Sequence, residues 1–112
     1  MTKRTADTLV DVSALEATLQ AFADARDWNR FHSPKNLAMA LTGEVGELVE
    51  VFQWLTEAQS AEVARDPATA QAVRDELADV LIYLVRLASV LGVDLDAAVR
   101  EKLAANARRY PA

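Results

Sequence analysis

The sequence feature that most restricts the fold is an apolar stripe that runs through residues 73–91. Its members recur three and four positions apart, which is the period of an α-helix. They are Val73, Leu77, Val80, Leu81, Leu84, Val85, Ala88 and Leu91. The pattern predicts a helix from Asp66–Pro67 to about Leu91, and Gly92 is a typical helix stop. A helix this apolar must be central in its fold or covered by another subunit.

Capping signals and apolar periodicity predict three further helices. Ser13 followed by Glu16 is a capping box, and Ser33–Pro34 joins a cap to a proline in the first turn. Asp94 is a typical cap for the last helix. The predicted spans are Ser13 to about Ala25 or Trp28, Pro34 to about Glu57 and Asp94 to about Arg109, with a short helical turn or loop over 58–66. No segment has the pattern of a strand hairpin, so we predict an all-α, four-helix-bundle-like fold.

Length and composition limit the domain number and the possible chemistry. A chain of 112 residues is typical of one domain, and we predict a flexible arm over 1–12 and one domain over 13–112. The sequence has no cysteine and a single histidine, which excludes thiolate chemistry and argues against histidine-rich zinc and di-iron sites. A net charge of −5 argues against nucleic-acid binding. With no apolar run of membrane-spanning length and no secretory signal pattern, we expect a cytoplasmic protein.

Two pairs of carboxylates interrupt the apolar stretches at the same helical spacing. Glu44 and Glu47 lie three residues apart on the second long helix, as Glu76 and Asp79 do on the third. Residues at this spacing share a helix face, and like charges there destabilise the helix. A bound cation would offset that cost, and a set of oxygen ligands favours Mg²⁺ or Mn²⁺. The alternative is that these residues are ordinary surface charges.

Two segments of the chain resemble a known family. They are "RDWNRFHSPKNLAMALTGEVGELVEVFQWL" and "DELADVLIYLVRLASVLGVDLDAAVREKLAANARRYP". Both resemble the all-α nucleoside triphosphate pyrophosphatases of the MazG-like superfamily, and among these they look most like the dCTP pyrophosphatases. The resemblance covers roughly residues 13–111 and includes the paired ExxE and ExxD motif of that superfamily.

This resemblance implies an activity and a set of catalytic residues. The expected reaction is hydrolysis of a nucleoside triphosphate between its α- and β-phosphates, which yields a monophosphate and pyrophosphate. The implied Mg²⁺ ligands are Glu44, Glu47, Glu76 and Asp79, and Glu50 is a further candidate that would orient or deprotonate the attacking water. The resemblance also implies a homotetramer with active sites near subunit interfaces, and a house-cleaning role in the nucleotide pool.

The resemblance also implies which residues contact the substrate. They are Trp28, His32, Trp54, Tyr83, Lys102, Asn106 and Arg109. The last three recur at spacings of four and three, so they form one helix stripe that is expected to contact the triphosphate. The aromatic residues are expected to line the base and sugar pocket, and His32 is a further candidate. The alternatives are core packing for the aromatic residues and interaction with the helix dipole for the basic residues.

One position departs from the family pattern. Animal-type dCTP enzymes carry a histidine on the first helix, and the matching residue here is Leu19, which cannot hydrogen-bond to a base edge. The resemblance therefore supports the metal chemistry more strongly than it supports selectivity for cytosine. Two other functions stay open. One is a superfamily enzyme with another substrate, such as phosphoribosyl-ATP, and the other is a non-catalytic helical module for oligomerisation or partner binding.

Overall fold

The computed structural model describes residues 7–112, and all regular structure in this range is helical. The helices are α1 (Ser13–Ala25), α2 (Pro34–Phe52), α3 (Glu57–Ser60), α4 (Ala70–Leu91) and α5 (Leu95–Arg109). A short 3-10 helix, Asn29–Phe31, connects α1 to α2. The all-α prediction is therefore confirmed for the described residues.

The main packing of the fold joins α2 to α4, and α1 also packs on α4. α2 and α4 run antiparallel: His32, just before α2, contacts Arg86 late in α4, whereas Glu47 in α2 lies beside Glu76 early in α4. The largest fully buried side chains are Leu37 of α2 and Val85 of α4. α4 is thus the central helix of the described fold, which is one of the two alternatives that its apolar stripe predicts.

α2 ends at Phe52, about one turn earlier than its periodicity predicts. The reason is a capping box that starts α3. Thr56 Oγ1 accepts a hydrogen bond from the backbone N–H of Gln59, and the side chain of Gln59 accepts one from the backbone N–H of Thr56. The box holds Thr56 in extended backbone (φ −72°, ψ 166°), so a helix cannot continue through this residue.

Two helices begin at positions that differ from the prediction. Ser13 is the first residue of α1, because Asp11 Oδ1 accepts hydrogen bonds from both the backbone N–H and the hydroxyl of Ser13. The capping box predicted at Ser13 is therefore wrong. α4 begins at Ala70, because Asp66 Oδ1 accepts a hydrogen bond from the backbone N–H of Ala68 and closes a turn before the helix.

The other predicted helix ends are confirmed. Ser33 caps α2 by accepting from the backbone N–H of Asn36, and Asp94 caps α5 by accepting from that of Ala97. Gly92 ends α4 in the left-handed conformation (φ 69°), which favours glycine.

The described part of the predicted arm, residues 7–12, contacts the start of α5. Asp96 is buried, and its Oδ1 accepts hydrogen bonds from the backbone N–H groups of Leu9 and Val10 at 2.7 and 2.9 Å. Its Oδ2 accepts a third bond from Arg100 Nε at 3.1 Å. The carboxylate thus holds this segment against α5, while the division into arm and domain stays a prediction.

Many large apolar side chains of the long helices are exposed in the single chain. On α4 they include Leu77, Leu81, Ile82, Leu84, Val90 and Leu91. The apolar face of α4 is therefore only partly covered by α1 and α2. Within the described residues, no helix combines the length and the apolar character that crossing a membrane requires.

Candidate metal and nucleotide site

The antiparallel packing of α2 against α4 brings three of the four predicted metal ligands together. Carboxylate oxygens of Glu44, Glu47 and Glu76 all lie within 4.8 Å of one another. The spacing of three residues places Glu44 and Glu47 on the same face of α2, and this face meets Glu76 on α4. We refer to these three residues as the acidic cluster.

The acidic cluster lacks the hydrogen bonds that buried carboxylates need. Glu44 Oε2 and Glu76 Oε2 are buried, and no donor among the described residues reaches either atom. The pKa of Glu76 is raised to about 7, chiefly by burial and then by the neighbouring carboxylates of Glu47 and Glu44. Burial also raises the pKa of Glu44, and the charges of Glu47 and Asp79 add to this rise. The cluster is therefore a site with an unmet need for positive charge.

Asp79 and Glu50 lie outside the acidic cluster. Asp79 is half-buried on α4, and its charge contributes to the raised pKa of Glu44. It is therefore near enough to interact with the cluster and stays a candidate ligand. Glu50 is exposed on α2, three residues beyond Glu47, and its role as a water-orienting residue stays a prediction.

The chemistry of the acidic cluster fits a hard divalent cation. Its three carboxylates offer only oxygen ligands, and two of the oxygens are buried without a hydrogen-bond partner in the described part of the chain. Mg²⁺ and Mn²⁺ prefer oxygen ligands of this kind. A cation would also relieve the mutual repulsion that raises the carboxylate pKa values. The cluster could therefore hold a metal ion.

Trp28 and His32 lie together where α1 connects to α2. The ring of Trp28 meets that of Phe22 edge-on at 5.6 Å between centroids and that of His32 at 6.3 Å. Trp28 nevertheless remains 42% exposed, so part of its ring is open to a ligand. Asp27, in the left-handed conformation (φ 55°), turns the chain just before Trp28. Trp28 is therefore neither a core residue nor a free surface residue.

The other two predicted aromatic contacts differ in their surroundings. Trp54 is 86% exposed in the turn after α2, so core packing within this chain does not account for it. Tyr83 is half-buried on α4, four residues after Asp79. Its position places it on the same face of α4 as the acidic residues.

The predicted phosphate contacts lie on α5. Lys102 and Arg109 are exposed and Asn106 is half-buried. The guanidinium of Arg109 lies 5.3 Å from the ring centroid of Tyr110. The main packing of the fold joins α4 to α1 and α2 and does not fix α5 against the acidic cluster. The assignment of this stripe to phosphate binding therefore stays a prediction.

A polar network around Arg86 was not predicted from the sequence. Arg86 is only 4% exposed. It donates three hydrogen bonds: Nε to His32 Nδ1 at 3.0 Å, Nη1 to Gln20 Oε1 at 2.7 Å, and Nη2 to Asn29 Oδ1 at 2.9 Å. We refer to these four residues, together with Asp24, as the arginine network. The network ties the segment that carries Trp28 and His32 to α4.

Asp24 completes the arginine network at its exposed side. Its Oδ1 accepts hydrogen bonds from Asn29 Nδ2 at 2.7 Å and from Gln20 Nε2 at 2.8 Å. These bonds lower the pKa of the Asp24 carboxyl. At the opposite side, burial and then the Arg86 charge lower the pKa of His32.

The sequence does contain a signal for Arg86. It is a single cation within the apolar segment "DVLIYLVRLASVL", and it lies ten residues after Glu76 and three after Tyr83. An arginine on the apolar face of a central helix must be paired when it is buried. Its partners could not be found in the same way, because they lie on other elements.

The fold and the acidic cluster together describe an all-α protein with a candidate metal site between two antiparallel helices. The model of the MazG-like family matches residues 40–112, and the chain belongs to this family. The resemblance identified from the sequence is therefore confirmed.

Individual relatives are similar over most of this chain. Human dCTP pyrophosphatase 1 is 50% identical over 105 residues, which are 94% of this chain and 60% of the human protein. The rat protein of the same name is 50% identical over 93% of this chain and 59% of its own length. The chain thus spans about 60% of the length of the curated relatives it matches. Among solved structures, a pyrophosphatase from Archaeoglobus fulgidus has a TM-score of 0.83 and 39% identity, covering 90% of this chain and 93% of that chain.

Proposed function

We propose that this protein is a Mg²⁺-dependent nucleoside triphosphate pyrophosphohydrolase. Its substrate is a dNTP, with dCTP or a modified pyrimidine dNTP as the best candidates, and its products are the monophosphate and pyrophosphate. The observation that carries this proposal is the acidic cluster, in which buried oxygens of Glu44 and Glu76 have no hydrogen-bond donor within residues 7–112. The names of the similar proteins, dCTP pyrophosphatase 1 and a pyrophosphatase, support the same reaction. The expected cellular role is the removal of unwanted nucleotides from the pool.

The reaction places two demands on the site. The charge on the phosphate oxygens must be neutralised, and a water must be held in line with the bond that breaks. Glu44, Glu47, Glu76 and Asp79 would hold the metal ion, which when bound supplies positive charge to the phosphate oxygens and makes a water more acidic. Glu50 would orient that water or accept its proton. The α5 stripe of Lys102, Asn106 and Arg109 would contact the triphosphate.

The base would bind among Trp28, Trp54 and Tyr83. Partly exposed aromatic rings such as Trp28 and Trp54 offer stacking surface, which is tolerant of base identity. Leu19 is half-buried on α1 and offers no hydrogen bond to a base edge. Pyrimidine selectivity would therefore depend on other residues.

The test is pyrophosphate release from dCTP with and without Mg²⁺. The variants Glu47→Gln and Asp79→Asn should lower the rate about 100-fold or more, because each removes a charged oxygen ligand. Glu62→Gln is the matched control, because Glu62 is exposed and pairs with Arg65 rather than with the acidic cluster. Its rate should stay within about twofold of the parent.

Two outcomes would contradict the proposal at different levels. If the parent releases no pyrophosphate from any common or modified dNTP, the enzyme assignment is wrong and a non-catalytic module becomes the better reading. If the parent is active and both variants retain its rate, the assigned residues are wrong while the reaction stands. A parallel assay with phosphoribosyl-ATP tests the alternative substrate.

We further propose that the protein acts as a homotetramer. The exposed apolar side chains of α4 and the 86% exposure of Trp54 support burial against other subunits or substrate. Such a surface favours association by removing apolar area from water. Native mass spectrometry at the assay concentration should give the mass of four chains, and a monomer under those conditions would contradict this part of the proposal.

A further inference from the structure

One face of α4 connects the acidic cluster to the arginine network. Glu76, Asp79, Tyr83 and Arg86 follow one another at spacings of three, four and three residues, so they form one stripe. This stripe is about 15 Å long, because ten residues of helix rise by about 1.5 Å each. A nucleotide with its triphosphate at the acidic cluster would therefore extend its base toward His32 at the other end.

The contact with Arg86 fixes where the imidazole of His32 carries its proton. A guanidinium has only N–H donors and stays protonated in proteins. His32 Nδ1 must therefore be the acceptor in its 3.0 Å contact with Arg86 Nε. A neutral imidazole whose Nδ1 accepts a hydrogen bond carries its proton on Nε2. A proton added at Nδ1 would remove this bond and place two cations side by side.

The remaining members of the arginine network hold Arg86 in this orientation. Gln20 and Asn29 turn their amide oxygens to Arg86 and their amide nitrogens to Asp24. Two contacts fix the orientation of each amide. Arg86 can only donate, so it requires the amide oxygen, and an ionised Asp24 can only accept, so it requires the amide nitrogen. All three described contacts of Arg86 go to protein acceptors, so little freedom remains for its guanidinium.

We propose that Arg86 is a positioning residue that holds His32 neutral with its proton on Nε2, so that His32 presents one N–H donor beside Trp28 to an acceptor atom of the bound base. The identity of the ligand rests on the proposed function, whereas the state of the imidazole follows from the contacts alone. His32 is half-buried, and its Nε2 has no hydrogen bond to another described residue. The groups that face the ring are the Arg86 guanidinium and the uncharged indole of Trp28.

The chemistry of this donor indicates the kind of atom it would recognise. A neutral N–H pairs with a carbonyl oxygen or an unprotonated ring nitrogen, and a pyrimidine edge offers both types of acceptor. The strong preference of a cationic group for phosphate would be absent. The donor would thus supply a hydrogen bond to the base, which Leu19 cannot do.

The imidazole state can be measured directly because the sequence contains one histidine. In tag-free protein labelled with ¹⁵N-histidine, both ring nitrogens of His32 are observed without overlap. At pH 7.5 we expect Nδ1 to have the shift of an unprotonated nitrogen and Nε2 that of a protonated one. A spectrum with the proton on Nδ1, or with the two tautomers averaged, would overturn the inference even if every variant below failed to fold.

Variants of Arg86 test whether the arginine causes this state. In Arg86→Met the two tautomers should average, whereas Arg86→Lys keeps a donor and should retain at least part of the preference. Arg65→Met is the matched control, because the Arg65 side chain is 80% exposed and lies in a turn after α3. A single Nε2 tautomer in Arg86→Met, with the fold confirmed by circular dichroism, would show that Arg86 is not the positioning residue.

Steady-state kinetics with dCTP test the consequence for binding. Loss of one neutral hydrogen bond should raise KM roughly 3- to 10-fold in Arg86→Met and in His32→Phe, with kcat within about twofold. The double variant should resemble His32→Phe alone, because Arg86 acts through His32. Additive increases, or an unchanged KM in Arg86→Met, would contradict the inference. A parent without pyrophosphate release would instead contradict the proposed function, and the ¹⁵N spectrum would still decide the imidazole state.

Discussion

The molecule contains two polar clusters against its central helix, and they differ in how well their hydrogen bonds are satisfied. In the arginine network, each of the three side-chain nitrogens of Arg86 donates a hydrogen bond of 3.0 Å or less to an oxygen or nitrogen acceptor. In the acidic cluster, buried oxygens of Glu44 and Glu76 have no donor among the described residues. Both clusters contain charge, yet only the buried charge of Arg86 has its hydrogen-bond partners without a ligand.

This difference separates a cluster that fixes the structure from one that is suited to bind. A complete polar network locks side chains into one arrangement, because each member would lose a partner by moving. An incomplete cluster of carboxylates is costly until a cation arrives. The comparison therefore predicts opposite responses when the two clusters are altered.

Glu44→Gln should give the largest effect and should separate activity from stability. Pyrophosphate release should fall about 100-fold or more, because the metal site loses a charged ligand. The metal-free variant at pH 8 should nevertheless unfold at a higher temperature than the metal-free parent, because one source of carboxylate repulsion is gone. Differential scanning calorimetry with EDTA checks the stability, and a lower unfolding temperature would mean that the cluster is satisfied without a metal ion.

Arg86→Met should be destabilising, in contrast to Glu44→Gln. Three acceptors, on Gln20, Asn29 and His32, would lose their donor, at a cost of about 1 kcal/mol each. We expect the free energy of unfolding to fall by about 2 to 3 kcal/mol in urea denaturation, whereas the exposed control Arg65→Met should change it by less than about 0.5 kcal/mol. If the two substitutions lower the free energy of unfolding equally, the hydrogen bonds of Arg86 contribute no more to stability than those of an exposed arginine.

Metal affinity should rise with pH in a way that reports the acidic cluster. The pKa of Glu76 is raised to about 7, so below that pH metal binding must displace a proton. Affinity for Mg²⁺ should increase by up to about tenfold per pH unit toward pH 7 and level off above it. Calorimetric titration in buffers with different ionisation enthalpies measures the released protons, and affinity that is constant between pH 6 and 8 would contradict the raised pKa.

The smallest expected effect is the pH dependence of the free energy of unfolding. Acidification should lower the contribution of His32 and raise that of the acidic cluster. His32 has a lowered pKa when folded, so the unfolded chain binds its proton more readily. Its contribution to stability is present above the ordinary value of 6.5 and is lost as the pH falls through the folded pKa. Glu76 has a raised pKa, so its carboxyl contributes stability below the ordinary value of 4.5, and this contribution is lost as the pH rises through about 7.

Urea denaturation of metal-free protein across pH 5 to 8 measures both trends. His32→Phe should lose the decline on acidification, and Glu44→Gln should weaken the decline on the alkaline side. If either variant leaves the pH profile of the parent unchanged, the corresponding group does not titrate as described.

The boundaries of the helices could be predicted only where a single local signal decides them. Gly92 and Asp94 end and begin helices as expected, since a left-handed glycine and a capping carboxylate act within a few residues. The predicted end of α2 was wrong. Its apolar pattern continues past Phe52, whereas Thr56 and Gln59 form a capping box that starts the next helix. Apolar periodicity does not reveal which of two local arrangements is more stable.

The sequence by itself determined the helical class, the apolar stripe of α4 and the identity of the candidate metal ligands. These follow from spacing, because periods of three and four residues define a helix face regardless of what packs against it. The tertiary structure decided which carboxylates actually meet, leaving Asp79 outside the group of Glu44, Glu47 and Glu76. It alone decided the arginine network, since the partners of Arg86 lie 54 to 66 positions away in the sequence and only the packing of α1 and α2 on α4 brings them within hydrogen-bonding distance.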